Sequence, residues 1–279
     1  MYPAGEASVA VRYVDVGDVR TRVLESGPQT GRAVVLVHGW GASVYSFDAM
    51  IPALAAGGHR VLTFDLPGHG LTAKPFDSWR YTTEALAQFV RSAMRACGIE
   101  RAAIAGHSMG AAIALRLALS EPSSVSRAIL LSPVGLGRAP LIWPIRWLSP
   151  RAVDRASPAM MTRLLFRLIL LIAYGEGRPT DRDIDQYWAP TQFKEYAWAC
   201  RACAHAFTWS PLSGEELGCV QQPVLVISGS EDRIVLGVED GTRRLPNARS
   251  FVFERGGHIV LQDSSDRVNA EVLRFLTGP

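Results

Sequence analysis

A serine flanked by glycines stands between two segments of different character. The pentapeptide Gly106-His107-Ser108-Met109-Gly110 follows an apolar run, residues 101–105, that is typical of a buried strand, and precedes an alanine- and leucine-rich run, residues 111–119, that is typical of a helix. So tight a turn leaves no room for bulk two residues before or after the serine. It pushes the Ser108 hydroxyl out of the sheet, which makes Ser108 a candidate nucleophile. The amide of Met109 then lies at a helix start, where it can donate to an oxyanion.

Strand-like and helix-like segments alternate along most of the chain. Predicted strands cover residues 9–16, 19–25, 33–37, 60–65, 101–105, 125–131, 223–228 and 250–253, and predicted helices cover residues 44–56, 83–96, 109–119, 236–245 and 265–276. The first two strands form a hairpin around Gly17-Asp18. This alternation predicts an α/β fold, with a mostly parallel eight-stranded sheet covered by helices on both faces.

The alternation stops between residues 134 and 215. This stretch holds five of the seven tryptophans and several helix-like segments, but no convincing buried strand. It is too long for a plain loop, so it predicts a helical cap, or lid, over a site. We therefore expect a core domain formed by residues 1–133 and 216–279, and a cap domain formed by residues 134–215.

Composition excludes several classes of function. The net charge of +3 is small and dispersed, which argues against a nucleic-acid partner. The apolar run 164–173 is too short to span a bilayer and contains Arg167, so a buried or interfacial helix is expected there. The start shows no secretory signal and the four cysteines suggest no disulfide framework, which together indicate a reducing cytoplasm. Cys200-x-x-Cys203 lacks a second ligand pair, so neither a metal nor a cofactor is predicted.

A serine nucleophile needs a base and an acid that orients the base. His258 follows two glycines directly after the last predicted strand, at the sheet edge where catalytic groups collect, and is the candidate base. Asp232 is the preferred acid, with Glu231 as the alternative, because both follow the strand 223–228. The second oxyanion donor is predicted to be the Trp40 amide, in the loop after the strand 33–37. His38 in that loop is interpreted as structural.

These motifs together resemble the α/β-hydrolase fold superfamily, in the branch that includes carboxylesterases and meta-cleavage-product hydrolases. The resemblance covers nearly the whole chain and implies Ser108 as nucleophile, Asp232 as acid and His258 as base, with an oxyanion hole formed by the amides of Trp40 and Met109. Dehalogenases and epoxide hydrolases of the branch carry aspartate as nucleophile, so Ser108 disfavours those activities. The motifs are residues 38–40, 65–70, 106–110, 229–232 and 257–258.

The cap sequence offers the only indications of a substrate. Its aromatic residues suggest an apolar pocket, although at least half of them are expected only to join cap and core. The candidate substrate contacts are Trp143, Trp147, Phe166 and Trp188. Between Arg138 and Arg178 there are seven arginines against two acidic residues, which predicts either solvated side chains or a basic apolar face. Such a face suits an anionic membrane surface or an acidic acyl substrate.

Three functions are consistent with these residues. The first is a serine hydrolase that cleaves carboxylic esters of small apolar substrates through an acyl-enzyme intermediate. The second is a C–C bond hydrolase acting on meta-cleavage-type diketones, which needs a cationic site for the substrate carboxylate. The third is a ligand-binding or accessory protein that keeps the fold with little turnover, because a fold alone does not fix a function.

Overall fold

The chain folds around one eight-stranded sheet. A computed structural model describes residues 2–3, 9–149 and 161–278. In spatial order β1-β2-β4-β3-β5-β6-β7-β8, the first two neighbouring pairs are antiparallel and the others parallel, which confirms the predicted mostly parallel sheet. The strands are β1 (Val9–Val16), β2 (Val19–Ser26), β3 (Ala33–Val37), β4 (Arg60–Phe64), β5 (Ala102–His107), β6 (Val125–Leu131), β7 (Val224–Gly229) and β8 (Ala248–Phe253).

Helices follow most strands and also fill the interruption. They are α1 (Met50–Ala56), α2 (Thr83–Ala96), α3 (Met109–Ser120), α4 (Ile142–Leu148), α5 (Arg163–Ala173), α6 (Asp181–Trp188), α7 (Tyr196–Ala206), α8 (Gly214–Gly218), α9 (Val238–Thr242), α10 (Val260–Asp263) and α11 (Ser265–Thr277). The predicted single helix 44–56 is wrong in one respect, because a 3-10 turn over residues 44–47 precedes α1. Asp65 binds the Val44 amide and Ser43 binds the Tyr45 amide, which tightens that first turn.

Both faces of the sheet are buried, as the continuous apolar run of β3 indicates. Val34 and Leu36 point into an apolar layer with α1 and α11, whereas Val35 and Val37 point into a second layer with α2 and α3. Neighbouring side chains in a strand face opposite sides of a sheet, so a strand buried on both sides needs apolar residues at every position. Burial on both faces holds the central strands in place. Because these strands are parallel, their carboxyl ends lie at one edge of the sheet.

Within the described residues, the stretch from 134 to 215 contains helices and no named strand. Helix α5 packs on α6, and α7 packs on α4 and on the 3-10 turn of residues 78–81. Phe166 and Tyr174 belong to the same buried apolar cluster as Ile259, which follows the predicted base. No helix in the described segments is long and apolar enough to cross a membrane. The exact division into core and cap stays a prediction.

Candidate active site

Ser108 occupies the sharp turn between β5 and α3. Its backbone has φ 53° and ψ −114°, a strained conformation for a residue with a side chain. The Ser108 amide donates to the Leu131 carbonyl of β6, and the Ser108 carbonyl accepts from the amides of Ala111 and Val134. These bonds hold the turn in place and leave the hydroxyl at the carboxyl edge of the sheet.

The two flanking glycines are required by close backbone contacts. A Cβ atom at Gly110 would lie 2.0 Å from the Val37 carbonyl oxygen, and a Cβ atom at Gly106 would lie 2.2 Å from the Gly110 carbonyl oxygen. Both distances are far below van der Waals contact, and the opposing atoms belong to the backbone. The pattern of small residues in the sequence therefore has a direct steric cause at both positions.

His258 lies between Ser108 and Asp232. Its Nδ1 is 2.9 Å from Asp232 Oδ2 and its Nε2 is 3.0 Å from Ser108 Oγ. A carboxylate only accepts hydrogen bonds, so Nδ1 carries the proton of the neutral ring and Nε2 is left to accept from the serine hydroxyl. Ser108 and His258 are both buried. The arrangement allows His258 to take the Ser108 proton during nucleophilic attack.

Asp232 is held by its own loop. Its Oδ1 accepts hydrogen bonds from the amides of Ile234 (2.8 Å) and Val235 (2.9 Å). Burial alone would raise the pKa of Asp232, but His258 and these two donors outweigh it, so the pKa lies below its ordinary value and the group stays ionised. Glu231, the alternative acid, instead faces Arg233 at 3.8 Å. Asp232 is thus the carboxylate that contacts the imidazole.

Two backbone amides beside Ser108 are free to donate. Within the described part of the chain, neither the Trp40 amide nor the Met109 amide donates a hydrogen bond. The loop that carries Trp40 lies close to the turn, because a Cβ atom at Gly39 would be 3.2 Å from Ser108 Cβ. The Trp40 ring is fixed by a bond from Nε1 to the Cys200 carbonyl and by edge contact with Trp209. The backbone amides of Trp40 and Met109 are thus available as the two donors that an oxyanion hole requires.

His38 joins two loops below the site. Its Nε2 accepts from the Leu66 amide at 2.9 Å, and its Nδ1 donates to the Gly39 carbonyl at 2.8 Å. Both ring nitrogens are therefore occupied, which agrees with the structural interpretation of this residue. His107 also points away from Ser108, since its Nε2 donates to the His258 carbonyl at 3.0 Å.

Three neutral histidines make the fold sensitive to acid. Burial lowers the pKa of His38 to about 4, and those of His69 and His107 to about 3, from an ordinary 6.5. Between about pH 4 and pH 6.5 these three histidines bind protons in the unfolded chain but not in the folded one. The free energy of unfolding is therefore highest above pH 6.5 and falls as the pH decreases below it. We expect the slope of the unfolding free energy to approach about 4 kcal/mol per pH unit near pH 5. Urea titrations at several pH values measure this slope. His69→Gln removes one of the three groups and should lower the slope by about one third. An unchanged slope in this variant would contradict the assignment.

Asp263 is a functional candidate that sequence reasoning missed. Its Oδ2 accepts from the amides of Gly175 (3.0 Å) and Gly257 (2.9 Å), and its Oδ1 accepts from the Gly177 amide (2.8 Å). The His258 amide donates to the carbonyl of Ala173, the last residue of α5, at 2.7 Å. One carboxylate and one helix end thus tie the loop of His258 to residues 173–177. No sequence motif marks such a contact, because its partners are far apart in the chain.

Replacing Asp263 should misplace His258 without removing it. We expect Asp263→Asn to lower kcat about 10- to 100-fold with KM within about threefold, because small displacements of a catalytic group cost this much. The rate at which a serine-reactive phosphonate labels Ser108 should fall in parallel. Asp266→Asn, an exposed carboxylate on α11, is the matched control. Wild-type labelling by the Asp263 variant would mean that the residue has no positioning role.

The predicted substrate contacts lie in different environments. Trp143 and Trp147 are 75% and 84% exposed, so the structure does not bring them to Ser108. Phe166 is buried, and Trp188 is half-buried with its Nε1 donating to the Met161 carbonyl. A substrate role for these four residues stays a prediction, which burial favours for Phe166 and exposure disfavours for the two tryptophans of α4.

A cavity of about 370 Å³ lies outside the site formed by Ser108, His258 and Asp232. It is lined by residues 71–74 and Phe76, and by Phe193 and Glu195 from the predicted cap. The ammonium of Lys74 lies 4.6 Å from the centre of the Phe193 ring. None of Ser108, Asp232 or His258 lines this space, so the chemistry cannot be assigned to it.

Known proteins of similar length resemble this chain in sequence and in fold. A 2-hydroxy-6-oxo-6-phenylhexa-2,4-dienoate hydrolase from Burkholderia cepacia is 30% identical to the chain, over 97% of the chain and 96% of the relative. The magnesium-chelatase 30 kDa subunit of Rhodobacter capsulatus is also 30% identical, over 94% of the chain and 93% of the relative. The crystal structure of a 2-hydroxy-6-oxo-6-phenylhexa-2,4-dienoate hydrolase from Rhodococcus sp. strain RHA1 aligns with a TM-score of 0.81, covering 97% of this chain and 99% of that one at 21% identity.

A family model gives the broader assignment. The model of the alpha/beta hydrolase family matches residues 34–271. This span runs from β3 into α11 and includes Ser108, Asp232 and His258. The chain therefore belongs to the alpha/beta hydrolase family and is a hydrolase.

Proposed function

We propose that this protein hydrolyses carboxylic esters of apolar substrates through an acyl-enzyme intermediate. The observation that carries the proposal is the hydrogen-bonded series from Ser108 through His258 to Asp232, with distances of 3.0 Å and 2.9 Å. The free amides of Trp40 and Met109 stand beside it. A nucleophile, a base, an ionised acid and two oxyanion donors are the groups that acyl transfer needs.

In the acylation step Ser108 Oγ attacks the ester carbonyl carbon while His258 Nε2 takes the hydroxyl proton. The amides of Trp40 and Met109 donate to the oxygen that becomes negative, and Asp232 stabilises the imidazolium. As the tetrahedral intermediate collapses, the bond to the alkoxide breaks and His258 protonates that leaving group. An acyl group then remains on Ser108.

Deacylation uses the same residues with water as the nucleophile. His258 takes a proton from water, the hydroxide adds to the acyl carbon, and the bond to Ser108 Oγ breaks with return of the proton to the serine. The free acid leaves. Ser108 and His258 are buried, and Phe166 and Tyr174 belong to the same apolar cluster as Ile259, the residue after His258. These apolar surroundings support an apolar acyl or alcohol group over a charged one.

Cleavage of a C–C bond is the second candidate, favoured by similarity to the Burkholderia cepacia hydrolase. That relative's substrate, by its name, is a dienoate and carries a carboxylate. In the described part of the chain, no lysine or arginine hydrogen-bonds Ser108, Asp232 or His258. A C–C hydrolase therefore needs a cation elsewhere in its pocket for the substrate carboxylate, whereas hydrolysis of an apolar ester needs none.

Substrate comparison tests the proposal. The expected result is turnover of p-nitrophenyl esters with kcat/KM rising as the acyl chain lengthens to an optimum, together with stoichiometric phosphonate labelling of Ser108. A higher kcat/KM for a dienone acid would replace ester hydrolysis by C–C cleavage. Labelling without turnover of either class would favour the accessory role, in line with the name of the Rhodobacter capsulatus subunit.

A further inference from the structure

Helix α5 presents an apolar face to solvent. Phe166, Leu170 and Ala173 point inward and are buried. Six aliphatic side chains on the outward side are exposed, among them Leu164 (64%) and Leu168 (52%); the others are Leu165, Ile169, Leu171 and Ile172. A helix at the surface of a globular protein normally carries polar residues on its outward side. The outward side of α5 therefore lacks the chemistry expected for water.

Helix α4 repeats this feature with aromatic residues. Trp143 and Trp147 are four positions apart, which places them on one side of the helix, and both are more than 70% exposed. Leu148 beside them is exposed as well, whereas Ile142 is buried. Tryptophan is enriched where proteins meet the interface between lipid and water. We call the exposed apolar residues of α4 and α5 the cap apolar surface.

The chain segments that carry the cap apolar surface contain mostly positive charges. In residues 134–149 and 161–179 five arginines stand against one acid, Glu176, which pairs with Arg255. Arg163 is neutralised by Asp181 and Asp185 of α6. Within the described residues Arg138, Arg167 and Arg178 are exposed and make no ion pair. Apolar and cationic side chains together match an anionic lipid surface.

We infer that the cap apolar surface docks onto an anionic lipid bilayer. Helix α5 has 11 residues, so it lies in the interface rather than crossing the membrane. A second copy of the chain is the less suitable occupant. A two-fold interface would bring the unpaired arginines of both copies together, where like charges repel. Phosphatidylglycerol headgroups would neutralise the same charges.

Vesicle co-sedimentation of the full chain tests this inference. We expect the wild type to bind vesicles of phosphatidylcholine mixed with phosphatidylglycerol, and to bind phosphatidylcholine alone at least about tenfold more weakly. The double variants Trp143→Ser with Trp147→Ser and Leu168→Asp with Ile172→Asp should each lose at least about tenfold in partitioning. Arg138→Gln and Arg167→Gln should each lose about fivefold at low salt and little at high salt.

A matched variant separates this surface from exposed aromatic residues in general. Trp79 is 61% exposed and lies in the 3-10 turn of residues 78–81, outside α4 and α5. Trp79→Ser should leave vesicle binding unchanged, and all variants should keep the wild-type thermal transition. Equal loss in Trp79→Ser, or no preference for phosphatidylglycerol, would overturn the inference. So would self-association in sedimentation velocity that the α5 variant abolishes while vesicles have no effect.

Discussion

Replacing Ser108 by alanine should lower kcat/KM for a p-nitrophenyl ester about 10⁵- to 10⁶-fold, because no other group can form the acyl-enzyme. The hydroxyl is the only group that this substitution removes. It contacts His258 Nε2 at 3.0 Å, whereas the bonds that hold the turn come from the Ser108 backbone. Stability should therefore stay close to that of the wild type, and phosphonate labelling should disappear.

Ser124→Ala is a suitable control, since this residue is also buried and its hydroxyl donates only to the Glu121 carbonyl. Steady-state kinetics of both variants, with thermal unfolding of each, separate chemistry from folding. Retention of more than about one tenth of the activity by Ser108→Ala would exclude the serine mechanism. Ester hydrolysis would then have to proceed at some other residue.

Asp232→Asn should lower kcat about 10⁴-fold, because it moves the imidazole proton of His258 from Nδ1 to Nε2. Asp232 Oδ1 accepts from the amides of Ile234 and Val235, so the carboxamide oxygen of the variant must occupy that place. Its NH₂ group then faces His258 Nδ1 and donates to it. The imidazole proton is thereby forced onto Nε2. A protonated Nε2 can no longer accept a hydrogen bond from the Ser108 hydroxyl.

The neighbouring carboxylate provides the comparison for this variant. Glu231→Gln changes a partly exposed residue that faces Arg233 and should alter kcat less than about threefold. Measurements of kcat for both variants decide between the two acids that the sequence left open. A large loss in Glu231→Gln with a small loss in Asp232→Asn would reverse the assignment.

The arrangement around Ser108 could be foreseen because it depends on local constraints. Gly106 and Gly110 are demanded by backbone contacts within the turn and with β3, and such demands appear directly as glycines in a short pattern. The central strands could be foreseen for a similar reason, since strands buried on both faces must be apolar throughout. Ser108, Asp232 and His258 come after β5, β7 and β8. Because these strands are parallel, the three residues were expected at the same edge of the sheet.

Contacts between distant segments could not be foreseen. Asp263 looks like any acidic residue ahead of a helix, and only the folded chain brings Gly175 and Gly257 to its oxygens. The exposure of Trp143 and Trp147 was equally hidden, because a tryptophan in an apolar stretch is compatible with either a pocket or a surface. Burial is a property of the assembled helices rather than of helical periodicity.

The ties between residues 173–177 and the loop of His258 have a consequence for how such enzymes change during evolution. Caps are attractive units for exchange, since a new cap brings a new pocket while the core keeps its chemistry. Here a donor cap would have to supply a carbonyl at position 173 for the His258 amide and two amides for Asp263. Recombination at the ends of the insertion would remove these partners, whereas a graft that spares residues 173–177 would inherit them. Residues 173–177 would then be inherited with the core, although they lie within the predicted cap.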